Sequence, residues 1–493
     1  MKKVSLLLLA IFAMTIMISC SDDDNNDNPA VDPNTITDYN TPKYVFFFIG
    51  DGMAQVQMNL AEAALNDPGF KGNKTFDVGL GQMAMSKFPV AGMSTTHAED
   101  RYITGSAASA TALACGEKTT INTISMNGDR TQNLETMAEM AKAKGMKVGI
   151  VSSVSIDHAT PACFYAHQPT RKEMTEICNQ MPTAGFDYYG GGGAKGDKDQ
   201  NTLVAAMQNA GYTVATTRAE LVAVQPGTKC WAYNHNLDGS YALVYAMDRP
   251  DEDLSLAEFT QKGIELLDNE NGFFLMVEAG KVDWACHAND AVAATYDMLA
   301  MDAAVQKAVD FYNQHPDETL IVITGDHECG GLTIGFSGTG YASAFEILKY
   351  QTMSYDEFDN IVGEWKENPD GHTFQMALDK AKEVFGLGNT ALDPVFELND
   401  YELETLENAY NKSMGGESVY TDEETTIRYG YYDPFTVTCT HILANKAGID
   451  WTSYSHTGVP VPVMAMGQGQ YEFSGYYDNT DIAKKIIKIA DYK

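Results

Sequence analysis

Four uninterrupted apolar runs constrain this chain more than any other feature: Tyr44 to Ile49, Val148 to Val151, Phe273 to Val277 and Leu320 to Ile323. A strand with one wet face alternates polar and apolar residues, so a strand without alternation is covered on both sides. That is the pattern of parallel sheets, whose crossover connections place helices on the two faces. Between the runs lie stretches of helical period: Leu134 to Lys144, ending at Gly145, then Leu256 to Leu267 and Ala291 to Tyr312. The expected fold class is therefore α/β, a large, mostly parallel central sheet flanked by helices on both faces. A length of 493 residues suits one large domain with insertions, or two or three ordinary ones.

In such sheets ligands bind beyond the carboxyl ends of the strands. After the first run comes Gly50-Asp51-Gly52, and beyond the second Asp157-His158-Ala159-Thr160. The third leads into Glu278-Ala279-Gly280-Lys281-Val282-Asp283, the fourth into Gly325-Asp326-His327-Glu328. Each alone reads as a turn or a hydrogen-bonded structural histidine. Four strands delivering carboxylates and imidazoles to one edge point instead to a metal-dependent site.

The N-terminus is of another kind. A basic start (Lys2, Lys3), an apolar run from Val4 to Ile18 and the sequence Met17-Ile18-Ser19-Cys20 form a signal peptide that resembles a bacterial lipobox. The expectation is an exported protein, lipid-anchored at Cys20, periplasmic or on the outer-membrane surface of a Gram-negative bacterium. Residues 21–42 are acidic and then proline-containing, unable to bury a core, and read as a flexible tether. Of eight cysteines the anchor takes one. The remaining odd number, without C-x-x-C spacing, reads mostly as buried thiols.

A formal charge of −34 excludes nucleic acid as a bulk partner. It also means that an anionic substrate has to be drawn in by local cations, such as bound metals or a placed arginine. The stretch from about 336 to 440, rich in Tyr, Asp, Glu and Asn with a helical piece at Thr373 to Phe385, interrupts the strand and helix rhythm. It reads as an insertion over the site edge, a lid, crown or oligomer contact, with a homodimer among the options.

The residue types specify the chemistry further. Asp283 and His287, four apart, share a face on a helical turn and can share a metal. With Asp326, His327, Asp51 and the distant His456 there are donors for two zinc-type sites, while Asp51, Thr160 and Glu278 offer only oxygens, which suits magnesium. Ser106 precedes a run of small helix formers (Ala107-Ala108-Ser109-Ala110), which places its hydroxyl at a helix N-terminus, as a plain cap or as a nucleophile beside an anion. A metal ion can activate such a serine without a histidine base.

The segments FFIGDGM, ITGSAASATALACGEKT, DHATPACFYAHQPTRK, MVEAGKVDWACHAND, VITGDHECGG and SHTG resemble the alkaline phosphatase family in order, spacing and residue type, over residues 43–493 outside the insertion. The resemblance implies an alkaline phosphatase that hydrolyses phosphate monoesters through a phosphoserine at Ser106, using two zinc ions and one magnesium ion. Asp283, His287 and His456 match the ligands of one zinc, and Asp51, Asp326 and His327 those of the other. Asp51, Thr160 and Glu278 match the magnesium site, which His158 borders. Arg171 matches the arginine that grips two phosphate oxygens with a planar fork that lysine cannot imitate.

Three positions depart from the family pattern. Gly105 stands where many members carry an aspartate that steadies the arginine, so Arg171 is expected to be freer here. His158 and Trp284 vary the surroundings of the third metal. Two other readings remain. One is a phosphodiesterase or another phosphoester hydrolase of the same superfamily, sulfatases being set aside for want of a C/S-x-P-x-R motif. The other is a surface lipoprotein that binds metals without catalysis.

Overall fold

The computed structural model describes residues 39–65, 82–197, 201–415 and 423–493. The expected signal peptide, Cys20 and nearly all of the 21–42 tether lie outside the described residues.

Ten strands form one sheet. In chain order they are β1 (Tyr44–Gly50), β2 (Val90–Ser94), β3 (Lys147–Ser152), β4 (Tyr188–Gly191), β5 (Thr213–Ala215), β6 (Cys230–Tyr233), β7 (Phe273–Ala279), β8 (Thr319–Gly325), β9 (Val461–Gly467) and β10 (Gly475–Tyr477). Across the sheet they run β10-β2-β9-β8-β1-β7-β3-β4-β6-β5. The four apolar runs thus become its adjacent centre, β8-β1-β7-β3, all parallel, with Tyr44 opposite Phe273 and Thr319. Only β9 runs against its neighbours β8 and β2.

Alternation within these strands divides the protein into layers. Val45, Phe47 and Ile49 of β1 enter one apolar layer with helices Ser106–Cys115, Met137–Ala143 and Asn479–Ile489, while Phe46 and Phe48 enter the other with Leu256–Leu267 and Ala291–Tyr312. Successive side chains point to opposite faces, and here both faces are dry. Each such buried phenylalanine contributes roughly 1.5–3 kcal/mol of transfer free energy. All seven cysteines from Cys115 to Cys439 are buried free thiols.

Two of the three expected helices between the runs occupy their expected bounds. The third begins at Met137 rather than Leu134, because Thr136 and Glu139 close a capping box that fixes the start. The region from 345 to 447 folds as helices Tyr355–Glu367, Phe374–Phe385, Asp400–Met414, Glu423–Tyr429 and Pro434–Ala447, together with short 3-10 turns. Phe358, Trp365, Phe385 and Phe435 join the same apolar layer as Leu256–Leu267. The last helix runs past Thr440 to Ala447. It is buried on nearly all sides, so no amphipathic stripe marks its end. Residues Tyr39–Lys493 form one compact unit.

Candidate active site

Because the central strands are parallel, every residue just past their ends reaches the same edge. Asp51 follows β1, Asp326 and His327 follow β8, and the helix Lys281–His287 begins two residues after β7. His158 caps the short Ala159–Ala162 turn beyond β3. His456 arrives from the opposite chain direction: it precedes the antiparallel β9, whose beginning lies at this edge. Gly52 makes the closest approach possible. It has φ 72°, and a Cβ there would sit 2.7 Å from the Asp283 backbone, so a side chain would push Asp51 and Asp283 apart.

The first cluster is Asp283, His287 and His456. The two imidazole Nε2 atoms lie 3.1 Å apart, and each is 3.3–3.4 Å from an Asp283 oxygen. His287 Nδ1 donates to the Tyr454 carbonyl at 2.6 Å and His456 Nδ1 to the Thr104 carbonyl at 2.9 Å. Both Nε2 lone pairs therefore face one point, where a cation or a proton has to sit. Burial alone would depress His287, but the Asp283 charge outweighs it and holds the pKa up at about 9. Asp283 is held well below the usual carboxylate range despite its burial, by His287 and His456.

The second cluster is Asp51, Asp326 and His327, all within ligand-sharing reach of one another. His327 Nε2 is 3.1 Å from Asp326 Oδ2 and 3.5 Å from Asp51 Oδ1. Its ring stacks on His456 with centroids 3.5 Å apart, which joins the two clusters. Burial and the neighbouring His456 keep His327 neutral, its pKa well below the usual value. Ser106 Oγ lies 3.5 Å from the same Nε2, too long for a proton-transfer contact, and that nitrogen already faces two carboxylates. Ser106 opens its helix behind Gly105, as expected from the small-residue run.

The third cluster takes the other side of Asp51 with His158 and Glu278. The Thr160 hydroxyl lies against Glu278, and Ser152 donates to Glu278 Oε2. Both Asp51 oxygens, Glu278 Oε1, Asp326 Oδ2 and Asp283 Oδ1 are buried without a hydrogen-bond partner among the described residues. Burial, then the Asp283 charge, raises Asp51 to about 7, while burial and the Asp51 charge push Glu278 and Asp326 well above the carboxylate range. Buried carboxylates in this state either keep their protons or bind cations, so the donors present fit metal ions. Two imidazoles with one carboxylate, and one imidazole with two, suit zinc-type ions, and the oxygen-rich third pocket suits a harder one.

Arg171 is not freer for the loss of an aspartate at position 105. Its Nη2 donates to His158 Nε2 at 2.7 Å. Burial, then the arginine charge, keeps His158 neutral and far below its usual pKa, so Nε2 is free to accept and Nδ1 carries the ring proton. Asp157, next to His158 in sequence, turns away and accepts from the Lys195 and Gly196 amides.

The structure adds Cys329 to the first cluster. It lies directly opposite His456 on the two-residue ribbon Glu328–Cys329 with His456–Thr457. Nothing in the sequence separates this thiol from the other buried ones. Lys281 and Asp238, paired at 2.6 Å, are equally unmarked in the sequence.

Comparison with known proteins agrees with this geometry. The alkaline phosphatase family model matches residues 42–192 and 179–492. Alkaline phosphatase 3 of Bacillus subtilis is 30% identical over 464 residues, 91% of this chain and 89% of that protein. The crystal structure of a cold-active alkaline phosphatase from a Shewanella species is 30% identical, with TM-score 0.74 over 91% of this chain and 99% of that one. That of Thermus thermophilus alkaline phosphatase is 25% identical, with TM-score 0.75 over 92% of each chain. An edge that gathers three cation-ready clusters, a serine and an arginine, on a fold and sequence shared with these proteins, makes this chain a member of the alkaline phosphatase family and a phosphatase enzyme.

Proposed function

We propose that the protein hydrolyses phosphate monoesters by two in-line transfers, first to the Ser106 hydroxyl and then to water, with two zinc ions at the first two clusters and one magnesium ion at the third. The observation that carries this reading is the position of Ser106, a hydroxyl at a helix N-terminus beside the nitrogen that joins two donor clusters. Bound divalent cations supply charge neutralisation and lower the pKa of nearby hydroxyls and water.

The remaining work falls to this chain's own residues. The first-turn amides of helix Ser106–Cys115 and its dipole favour the phosphoryl dianion next to Ser106. Ser106 Oγ attacks phosphorus opposite the ester oxygen, the P–O bond to the alcohol breaks, and the alcohol leaves with a proton. Water then attacks the phosphoserine opposite Ser106 Oγ, from the side the alcohol left, the P–O bond to Ser106 breaks, and a proton from the water returns to the serine as inorganic phosphate is released. Arg171, held by His158, presents its guanidinium to two non-bridging oxygens. His287 and His456 keep fixed tautomers through their carbonyl partners, so no ring has to turn during turnover.

Trapping labelled phosphate on the wild-type protein at acidic pH, and finding it on Ser106 by peptide mapping, tests the covalent step. Label on no residue would sink it. Comparing an aryl monoester with an aryl diester tests substrate class: the monoester is expected to turn over far faster, and a strong diester preference would replace this reading.

The 336–440 insertion, whose last helix continues from Pro434 to Ala447, is read as a crown beside the site, supported by His441 Nε2 of that helix meeting Asn289 Oδ1 at 2.9 Å just beyond helix Lys281–His287. Export with a lipid anchor at Cys20 is part of the same proposal. It is checked by membrane fractionation of the wild type against Cys20→Ala.

A further inference from the structure

Lys281 is among the most enclosed charges of the described residues, with a side chain 1% exposed, and nothing in the reaction above uses it. It opens the same short helix that carries Asp283 and His287. Its Nζ donates to Asp238 Oδ2 at 2.6 Å, and Asp238 is in turn fixed by the Ser240 and Ala242 amides. The ammonium lies 3.8 Å from the centre of the Tyr245 ring and 4.9 Å from that of Trp284. A cation over a dry aromatic face is held there by the ring quadrupole, and it holds the ring in return.

The contacts continue in both directions. Trp284 meets the His158 ring edge to face, with centroids 5.5 Å apart at 77°. His158 Nε2 accepts from Arg171. On the far side, the Tyr245 hydroxyl donates to that of Tyr355 at 3.0 Å, at the start of the insertion's first α-helix. Gly105 offers Arg171 no side chain, while the guanidinium meets His158 and the His158 ring meets Trp284.

We propose that Lys281 is a positioning residue for phosphate binding: clamped by Asp238, it fixes Trp284, which holds His158 in place to present Arg171. This rests on the reading of Arg171 as the phosphate-gripping arginine. The arrangement takes over the task of an acidic neighbour to the arginine without placing a negative charge beside the incoming dianion. It also ties the seating of the insertion to the grip on phosphate.

The test measures competitive inhibition of the metal-loaded enzyme by inorganic phosphate, together with kcat and metal content. Removing Lys281 alone strands a buried carboxylate, so the informative variant is Asp238→Asn with Lys281→Met, which discharges both partners together. It is expected to raise the phosphate inhibition constant about tenfold, with kcat within about twofold and metal content unchanged. Trp284→Leu is expected to do the same, and combining it with the charge-free pair to add nothing further. An Arg171→Ala control separates the two levels. If Arg171→Ala weakens phosphate but the charge-free pair and Trp284→Leu do not, the relay is wrong and the reading of Arg171 stands. If Arg171→Ala itself leaves phosphate binding unchanged, both fall. Loss of metal from the charge-free pair and from Trp284→Leu alike overturns the proposal in favour of a purely structural Lys281.

Discussion

Asp51 stands between two halves of the site built on different plans. On one side, His287 and His456 each give Nδ1 to a backbone carbonyl and turn Nε2 inward, so the scaffold has chosen the tautomer a metal needs. On the other, His158 gives Nε2 to Arg171, and its Nδ1 keeps the proton. One neutral imidazole cannot accept from the arginine and ligate a cation through a protonated nitrogen at once. The same residue type thus offers an inward lone pair in one half and an anchor for the arginine in the other, according to which nitrogen its neighbours claim.

The contrast breaks at its root if the first half does no chemistry. Exhaustive chelation is expected to abolish turnover, with zinc restoring it; activity that persists in metal-free protein would remove the basis for comparing the halves. Next in size, Ser106→Ala is expected to cost about a thousandfold or more in kcat at unchanged metal content.

Acidity tests the ligand half. His287 carries a proton below about 9, and metal binding has to expel it. Metal affinity is therefore expected to fall about tenfold per pH unit on the acid side of that value and to level off on the alkaline side. A competition titration against a chromogenic chelator reads this directly, and a flat profile would show that no proton holds the place of the metal.

The anchor half is sharpened by two substitutions. His158→Asp exchanges an arginine-bound imidazole for an anionic oxygen beside Asp51 and Glu278, and about tenfold tighter magnesium binding is expected by calorimetry. An unchanged affinity would mean that His158 does not limit how tightly the ion is held. Gly105→Asp should be the mildest. Its φ is −124°, and a Cβ there meets only Ile121 Cδ1, at 3.8 Å, so the chain accepts it, and phosphate inhibition is expected to shift by no more than about threefold. A large shift would show that His158 leaves Arg171 poorly held.

Legibility in the sequence followed burial. The central strands could be read because both their faces are dry, which leaves unbroken apolar runs such as Tyr44 to Ile49. The outer strands could not: Tyr188–Gly191 and Gly475–Tyr477 are short and glycine-containing, and β2 is too mixed to alternate. The candidate ligands were legible because four strand ends deliver carboxylates and histidines to one edge at once, where each alone would read as a turn or a structural histidine. The partner of Arg171 was not, since a hydrogen bond between positions 158 and 171 leaves no spacing signature, and Gly105 suggested the opposite. Lys281 was hidden for a similar reason: its partners Asp238 and Tyr245 reach it only when the loop after β6 folds back over helix Lys281–His287.

The reversed direction of β9 has a consequence for the order in which the site can be completed. Asp51 emerges 405 residues ahead of His456, which reaches the edge because the long strand after it is threaded backwards between β8 and β2. The first cluster is therefore a late event for the growing chain, closed by the segment that also closes the sheet. A polypeptide cut short before His456 holds every other candidate ligand of the site and still lacks one donor of the first cluster, so capture of a full metal set would report that the chain has been made and folded past that strand.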